Sequence, residues 1–192
     1  GCFVGPGVPF ADATLGRLLS DSSQVPEVFP ALVPGSQVPL QVRLAGSVEE
    51  GFDPVSGVRT SRAETAFVYD AWGNVSQTAV DTYSGTATTP TASVTTANTY
   101  FNDGVKWRLG RLTASTVTHS RPGQPSIVRA TAFAYDLSGP ATGLLTREQV
   151  QPGGGVETDL RTFYVLDAFG NRLRTHTCSA QLSETDCTSQ SI

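Results

Sequence analysis

The sequence predicts an all-β protein in which consecutive β-hairpins form one extended, coiled antiparallel sheet. Three observations point there. Asp70, Asp103, Asp136 and Asp167 recur at intervals of 33, 33 and 31 residues, the mark of one supersecondary unit repeated along the chain. Around three of them the text is nearly the same: Phe67-Val-Tyr69-Asp70-Ala-Trp-Gly73-Asn74, Phe133-Ala-Tyr135-Asp136-Leu-Ser-Gly139 and Tyr164-Val-Leu166-Asp167-Ala-Phe-Gly170-Asn171. Charged residues make up only 16% of the 192, and Thr, Ser, Val and Gly dominate instead, a composition suited to half-buried strands.

Each part of the unit has a physical reason. Phe67 and Tyr69, Phe133 and Tyr135, and Tyr164 and Leu166 are two residues apart, so on an extended strand they share one face. Asp opens a turn well because its carboxylate accepts from a backbone N–H two residues on. A glycine three residues later can adopt positive φ and release the chain into the next strand. Tyr100-Phe101-Asn102-Asp103-Gly104 is a degenerate copy, and the residues before Gly110 predict an enlarged turn after Asp103. A fifth, looser copy runs from Phe10 through Asp12 and Gly16 to Leu18.

In chain order, residues 1–50 are rich in Pro and Gly, and the prolines confine strands there to short or edge positions. One strand is expected from about Leu40, and Leu15 to Ser20 form at most one helical turn. Asp53-Pro54-Val55-Ser56-Gly57 reads as a turn. Residues 51–178 form the hairpin array, in which Thr82 to Thr96 read as a long surface loop. Leu112 to Thr118 alternate as a strand, Ser120 to Pro125 turn, and Ile127 to Tyr135 return. Leu144 to Val150 and Glu157 to Leu166 flank a Gly-rich turn at 151–155. Residues 179–192 are a polar tail, and no segment has convincing helical periodicity.

Bulk properties exclude several functions. The formal net charge is −4 with no basic stripe, which disfavours nucleic-acid binding. No apolar run approaches the ~20 residues that a spanning helix needs. There is no methionine, so we expect a piece of a longer polypeptide. Cys178 and Cys187 either pair, closing a short loop worth roughly 2–3 kcal/mol in an oxidising compartment, or are two free thiols. Cys2 is the odd one, free or paired elsewhere.

These residues resemble the YD-repeat, or Rhs-repeat, family, whose pattern is Tyr-Asp-x-x-Gly-Arg/Asn. Tyr69-Asp70-Ala71-Trp72-Gly73-Asn74 and Tyr135-Asp136-Leu137-Ser138-Gly139 match it, whereas Leu166 replaces the tyrosine and Pro140 the residue after Gly139. The resemblance covers roughly residues 60–178. It implies a bacterial, secreted or surface protein whose repeats wind into a hollow sheet-walled shell, enclosing a toxic domain in several members. The structural repeat residues are then Tyr69, Asp70, Gly73, Asp103, Tyr135, Asp136, Gly139, Leu166, Asp167 and Gly170. The family also carries Asp-Pro-x-Gly elements linked to self-cleavage, but Asp53-Pro54-x-x-Gly57 is one residue too long and reads as a turn.

No catalytic pattern competes with this. The aspartates lack the clustered oxygens of a calcium site, and His119 and His176 stand alone as exposed strand residues. No nucleophile elbow, zinc helix or phosphate loop is present. The expectation is a non-catalytic structural segment without cofactors, partnered by flanking repeats or copies of itself. Two other readings stand beside it: an extracellular adhesion module binding glycan through Trp72, Trp107, Phe169 and the Thr-rich stretch, and a fibre that assembles through open sheet edges.

Overall fold

A computed structural model describes residues 18–29, 41–137 and 142–189. Ten strands follow one another: β1 (Ser20–Phe29), β2 (Gln41–Phe52), β3 (Arg59–Tyr69), β4 (Val75–Ser84), β5 (Ala92–Asp103), β6 (Arg108–Ser120), β7 (Ile127–Tyr135), β8 (Leu145–Val150), β9 (Leu160–Leu166) and β10 (Arg172–Ser179). A short helix, α1 (Glu184–Ser189), comes last. The spatial order is the chain order, β1 to β10, every neighbouring pair is antiparallel, and the sheet does not close into a barrel. The hairpin array predicted from the repeat is the observed architecture.

A 33-residue period spans two strands, so each repeat returns the chain to the same side of the sheet. The turns at Asp70, Asp103, Asp136 and Asp167 join β3 to β4, β5 to β6, β7 to β8 and β9 to β10, and all four therefore lie along one long edge. The alternate turns, at Asp53 and at residues 85–91, 121–126 and 151–159, line the other.

The register decides which side chains share a face, because residues directly opposite in an antiparallel pair project the same way. Phe67 lies opposite Thr78, Thr78 opposite Thr96, Thr96 opposite Val117 and Val117 opposite Arg129, two pairs along β7 from Phe133. Phe133 in turn lies opposite Glu148 and Glu148 opposite Thr162, two residues before Tyr164. Phe67, Tyr69, Tyr100, Phe133, Tyr135, Tyr164 and Leu166 thus occupy one face, the ring face. The opposite face is paved by small residues in its middle: Ala66 and Ala79, Thr95 and Ala97, Ala114 and Thr116, Ala130 and Ala132.

The sheet is a single layer. Among the described residues only Gly143, Gln149, Asp159, Phe163 and Cys187 are buried, and no large side chain is fully enclosed. All but Gly143 lie in or against the last two hairpins. Gln149 Nε2 donates to Asp159 Oδ1 (2.8 Å), and the other Asp159 oxygen accepts from Gly153 N (2.9 Å). Nearby, a Cys178–Cys187 disulfide, with Cα atoms 6.1 Å apart, folds α1 back beside β10.

Three expectations about the elements need correction. Thr82 to Thr96 are not a long loop, since β4 runs to Ser84, β5 begins at Ala92, and the Thr/Ser/Ala text pairs across strands instead. Ser20 starts β1 rather than ending a helical turn, and residues 15–17 lie outside the described set. β1 itself gave no periodic signal; its Pro26 is tolerated because β1 is an edge strand and the register shifts between Val25 and Pro26. The polar tail holds a helix that periodicity could not reveal in six residues. Its start is legible in retrospect: Ser183 is an N-cap whose Oγ accepts from Asp186 N (3.1 Å) and donates to Asp186 Oδ2 (2.6 Å).

Gly46 shows how tightly β2 and β3 approach: a Cβ there would lie 2.7 Å from the Thr65 carbonyl oxygen. Gly46→Ala is expected to destabilise the sheet by about 1–3 kcal/mol, read as a lower urea midpoint; an unchanged midpoint would show that the strands yield freely.

Candidate functional site

The corner row is built around the aspartates. At Asp70, Gly73 N donates to the Asp70 carbonyl (3.1 Å) and Asp70 N to the Asn74 carbonyl (2.9 Å), closing a three-residue hairpin loop with Gly73 at φ 85°. The carboxylate takes up what the turn leaves over. Its Oδ1 accepts from Trp72 N and Asn74 N (both 2.9 Å), and its Oδ2 from Asn74 Nδ2 (2.8 Å). Asp167 repeats this atom for atom: Phe169 N and Asn171 N at 2.8 Å, Asn171 Nδ2 at 2.9 Å, and Gly170 at φ 85°.

Asp103 makes the enlarged corner that its sequence predicts. Its Oδ1 accepts from Val105 N and Lys106 N (both 3.0 Å), and the left-handed position falls on Trp107 (φ 54°). Asp53 on the far edge is built alike, accepting from Val55 N (3.0 Å) and Ser56 N (2.6 Å), but with Gly57 at φ 72°. The Asp-Pro stretch is thus a turn. At Asp136, Gly143 N donates to the Asp136 carbonyl and Asp136 N to the Leu144 carbonyl (3.0 Å), with Gly143 at φ 89°. Gly143 fills the place that the motif assigns to Gly139, which lies outside the described residues.

Neighbouring units are locked together by the motif tyrosines. Tyr69 Oη donates to the Leu44 carbonyl (2.7 Å), Tyr100 Oη to Val75 (3.0 Å) and Tyr135 Oη to Leu112 (2.9 Å). Each acceptor lies 23–25 residues upstream, just past the previous corner where one is described. Arginines stack on the same rings, Arg43 4.4 Å above Tyr69 and Arg111 5.5 Å above Tyr135. Leu166 has no hydroxyl, so the last unit lacks this bond. There Tyr164 donates to Glu148 Oε2 (3.2 Å) beneath Arg172, whose guanidinium is 3.8 Å from the ring. Burial first, and then that carboxylate, hold the Tyr164 pKa above its ordinary value.

A second tie joins corner to corner. Asn102 Oδ1 accepts from Gly110 N (2.7 Å) and from Asn74 Nδ2 (3.3 Å), while Asn102 Nδ2 donates to Asp70 Oδ2 (3.4 Å). Asn74, Asn102 and Asn171 were absent from the predicted set. The first and last follow the corner glycine in the motif text, which was the available signal; nothing in sequence marks Asn102.

Trp72 and the exposed aromatics separate. The Trp72 ring leans over the next corner, 2.9 Å from where a Gly104 Cβ would stand. Trp107 and Phe169 are 76% and 91% exposed. His119 is exposed, whereas His176 is half-buried with its Nε2 enclosed, contrary to expectation, because it lies opposite buried Phe163. Among the described residues no three His, Cys, Asp or Glu side chains are placed to hold a metal.

No protein-family model and no curated protein matches this chain. Its reading therefore rests on geometry and on the repeat itself.

Two expected outcomes follow from these contacts. Tyr135→Phe removes the lock to Leu112 and is expected to cost about 1 kcal/mol without changing the β-type circular dichroism; no loss would show that the hydroxyl bond is idle. Burial works to raise the pKa of Asp70, but the bonds from Asn74, Trp72 and Asn102 outweigh it and hold the pKa below the ordinary 3.8. The Asn171 side chain, ahead of the backbone donors, does the same at Asp167. A depressed folded pKa means stability that is present above the unfolded value and lost as pH falls through the folded one. Thermal midpoints should therefore drop below about pH 4, and less steeply in an Asp70→Asn/Asp167→Asn variant; parallel profiles would refute the assignment.

Proposed function

We propose that this chain is a non-catalytic, wall-forming segment of a secreted or surface bacterial YD-repeat shell, of the kind that encloses a toxin domain. The observation that carries this reading is the repeated tyrosine-to-carbonyl lock between successive hairpins. A lock of that form adds unit after unit to one sheet without limit, which suits a wall and supplies no reaction centre. Support also comes from the carboxylates, since Asp70 and Asp167 spend their oxygens on turn N–H groups. The Cys178–Cys187 disulfide suits an oxidising compartment. Among the described residues no helix is long and apolar enough to cross a membrane, which says nothing about a β-barrel.

The exposure of Trp107 and Phe169 favours one second reading, an adhesion module that stacks these rings on sugars. Electron microscopy of the complete polypeptide distinguishes the two. A closed, sheet-walled shell supports the first proposal, and an extended strip refutes it. Glycan-array binding that is lost in Trp107→Ala with unchanged circular dichroism would establish the second reading instead.

A further inference from the structure

Each corner loop holds an apolar side chain out in solvent. Trp72 (49% exposed) follows Asp70, Val105 (97%) and Trp107 follow Asp103, Leu137 (54%) follows Asp136, and Phe169 follows Asp167. All five lie along one long edge of the sheet, because the four corners do. Two strands separate successive corners, so the tips are set roughly 10 Å apart across the sheet. The other long edge differs. Its turns, at residues 53–58, 85–91, 121–126 and 151–159, contain no aromatic residue and are mostly Pro, Gly, Thr, Ser and Gln. Val55, Val58 and Val156 are the exposed large apolar side chains there.

The backbone behind the corner tips is already satisfied. The Trp72 and Phe169 amides donate to the carboxylates of Asp70 and Asp167, and the Val105 and Lys106 amides to that of Asp103. Gly73 N and Gly170 N are bonded to the carbonyls of the same aspartates. An N–H carried out of water without a partner is costly, and these amides keep their partners when a tip leaves water. Only the side chains then meet the new surroundings. Trp, Phe and Leu are the side chains that seat at the boundary between lipid headgroups and acyl chains. Lys106, between Val105 and Trp107, can hold its ammonium in the aqueous layer while its stem follows its neighbours.

We propose that this edge seats on a zwitterionic lipid surface, with the side chains of Trp72, Val105, Trp107, Leu137 and Phe169 entering the headgroup layer. The contact is peripheral: the tips insert and the strands stay outside. The corner carboxylates stand immediately behind the tips and repel anionic lipid, so the headgroups are net neutral, of the phosphatidylcholine kind. A sugar would use only part of the row, since Val105 and Leu137 offer no aromatic face to stack on. The Asp70, Asn74, Asp167 and Asn171 side chains, which could bond sugar hydroxyls, are engaged within their own turns. A single file of separated tips also offers a protein partner little contiguous area. This inference does not rest on the shell reading.

Both tryptophans of the chain sit in this row, so their fluorescence reads the contact directly. The 192-residue chain, mixed with phosphatidylcholine vesicles, is expected to float with them. Its tryptophan emission should shift to the blue and be quenched by lipid brominated in the acyl chains. Salt should have little effect, because no ion pair carries the contact. Trp107→Gly/Phe169→Ser should lower the partition coefficient at least about tenfold with unchanged circular dichroism, glycine being suited to the left-handed backbone at residue 107. Val156→Ser, on the other edge, should bind as the wild type does. If the double variant fails to fold, Val105→Asp takes its place and should show the same loss. A wild-type chain that leaves the vesicles unbound overturns the proposal, as does a loss that tip and far-edge variants share equally. Emission that shifts with protein concentration in the absence of lipid would mean that the tips cover one another. A glycan-array signal from a chain that ignores vesicles would assign the rings to sugar. Either result refutes the lipid contact.

Discussion

A hairpin turn leaves several backbone N–H groups without a ladder partner, and here the carboxylates of Asp53, Asp70, Asp103 and Asp167 take them up. At Asp70 and Asp167 one side chain satisfies two amide donors and is itself held by the following asparagine. That arrangement sets the loop length, and the loop length sets the register of the strands that leave it. Register in turn decides that all the motif rings reach one face. Without the corner, the two-residue spacing of Phe67 and Tyr69 would have no fixed partner across the sheet.

What holds one unit to the next differs from what holds a unit together. The corner bonds are local, two to four residues apart. The locks from Tyr69, Tyr100 and Tyr135 reach 23–25 residues back and attach each ring to the backbone of the preceding unit. In a single-layer sheet with almost no enclosed core, ladder hydrogen bonds and such side-chain ties carry a larger share of the cohesion than apolar burial does. The exception is the last pair of hairpins, where Phe163, Gln149, Asp159 and Cys187 are buried and a disulfide secures the closing helix. Variation in the motif follows the same economy: Leu166 gives up the lock exactly where that extra burial is available nearby.

Departures from the repeat are informative in the same way. Trp107 takes a left-handed conformation that Gly57 takes without penalty in an otherwise equivalent turn, and its ring remains largely in solvent. Gly143 replaces the glycine expected at residue 139, so the corner at Asp136 keeps its hydrogen bonds while the loop grows. The unit therefore tolerates insertions at its corners more readily than changes of strand register. That is what a pleated face demands, since a one-residue slip would turn every ring to the other side.

Sequence by itself determined the all-β class, the hairpin unit, the corner aspartates and the common face of the rings. Those features follow from local rules: a period of two along a strand, and turn chemistry confined to a few residues. It could not determine β1, whose text has no clean alternation, nor the strand pairing of the Thr-rich stretch from 82 to 96, because Thr and Ser suit loops and exposed strands alike. The tyrosine locks also lay beyond its reach. A backbone carbonyl has no sequence signature, so only the tertiary structure could decide which one each hydroxyl meets.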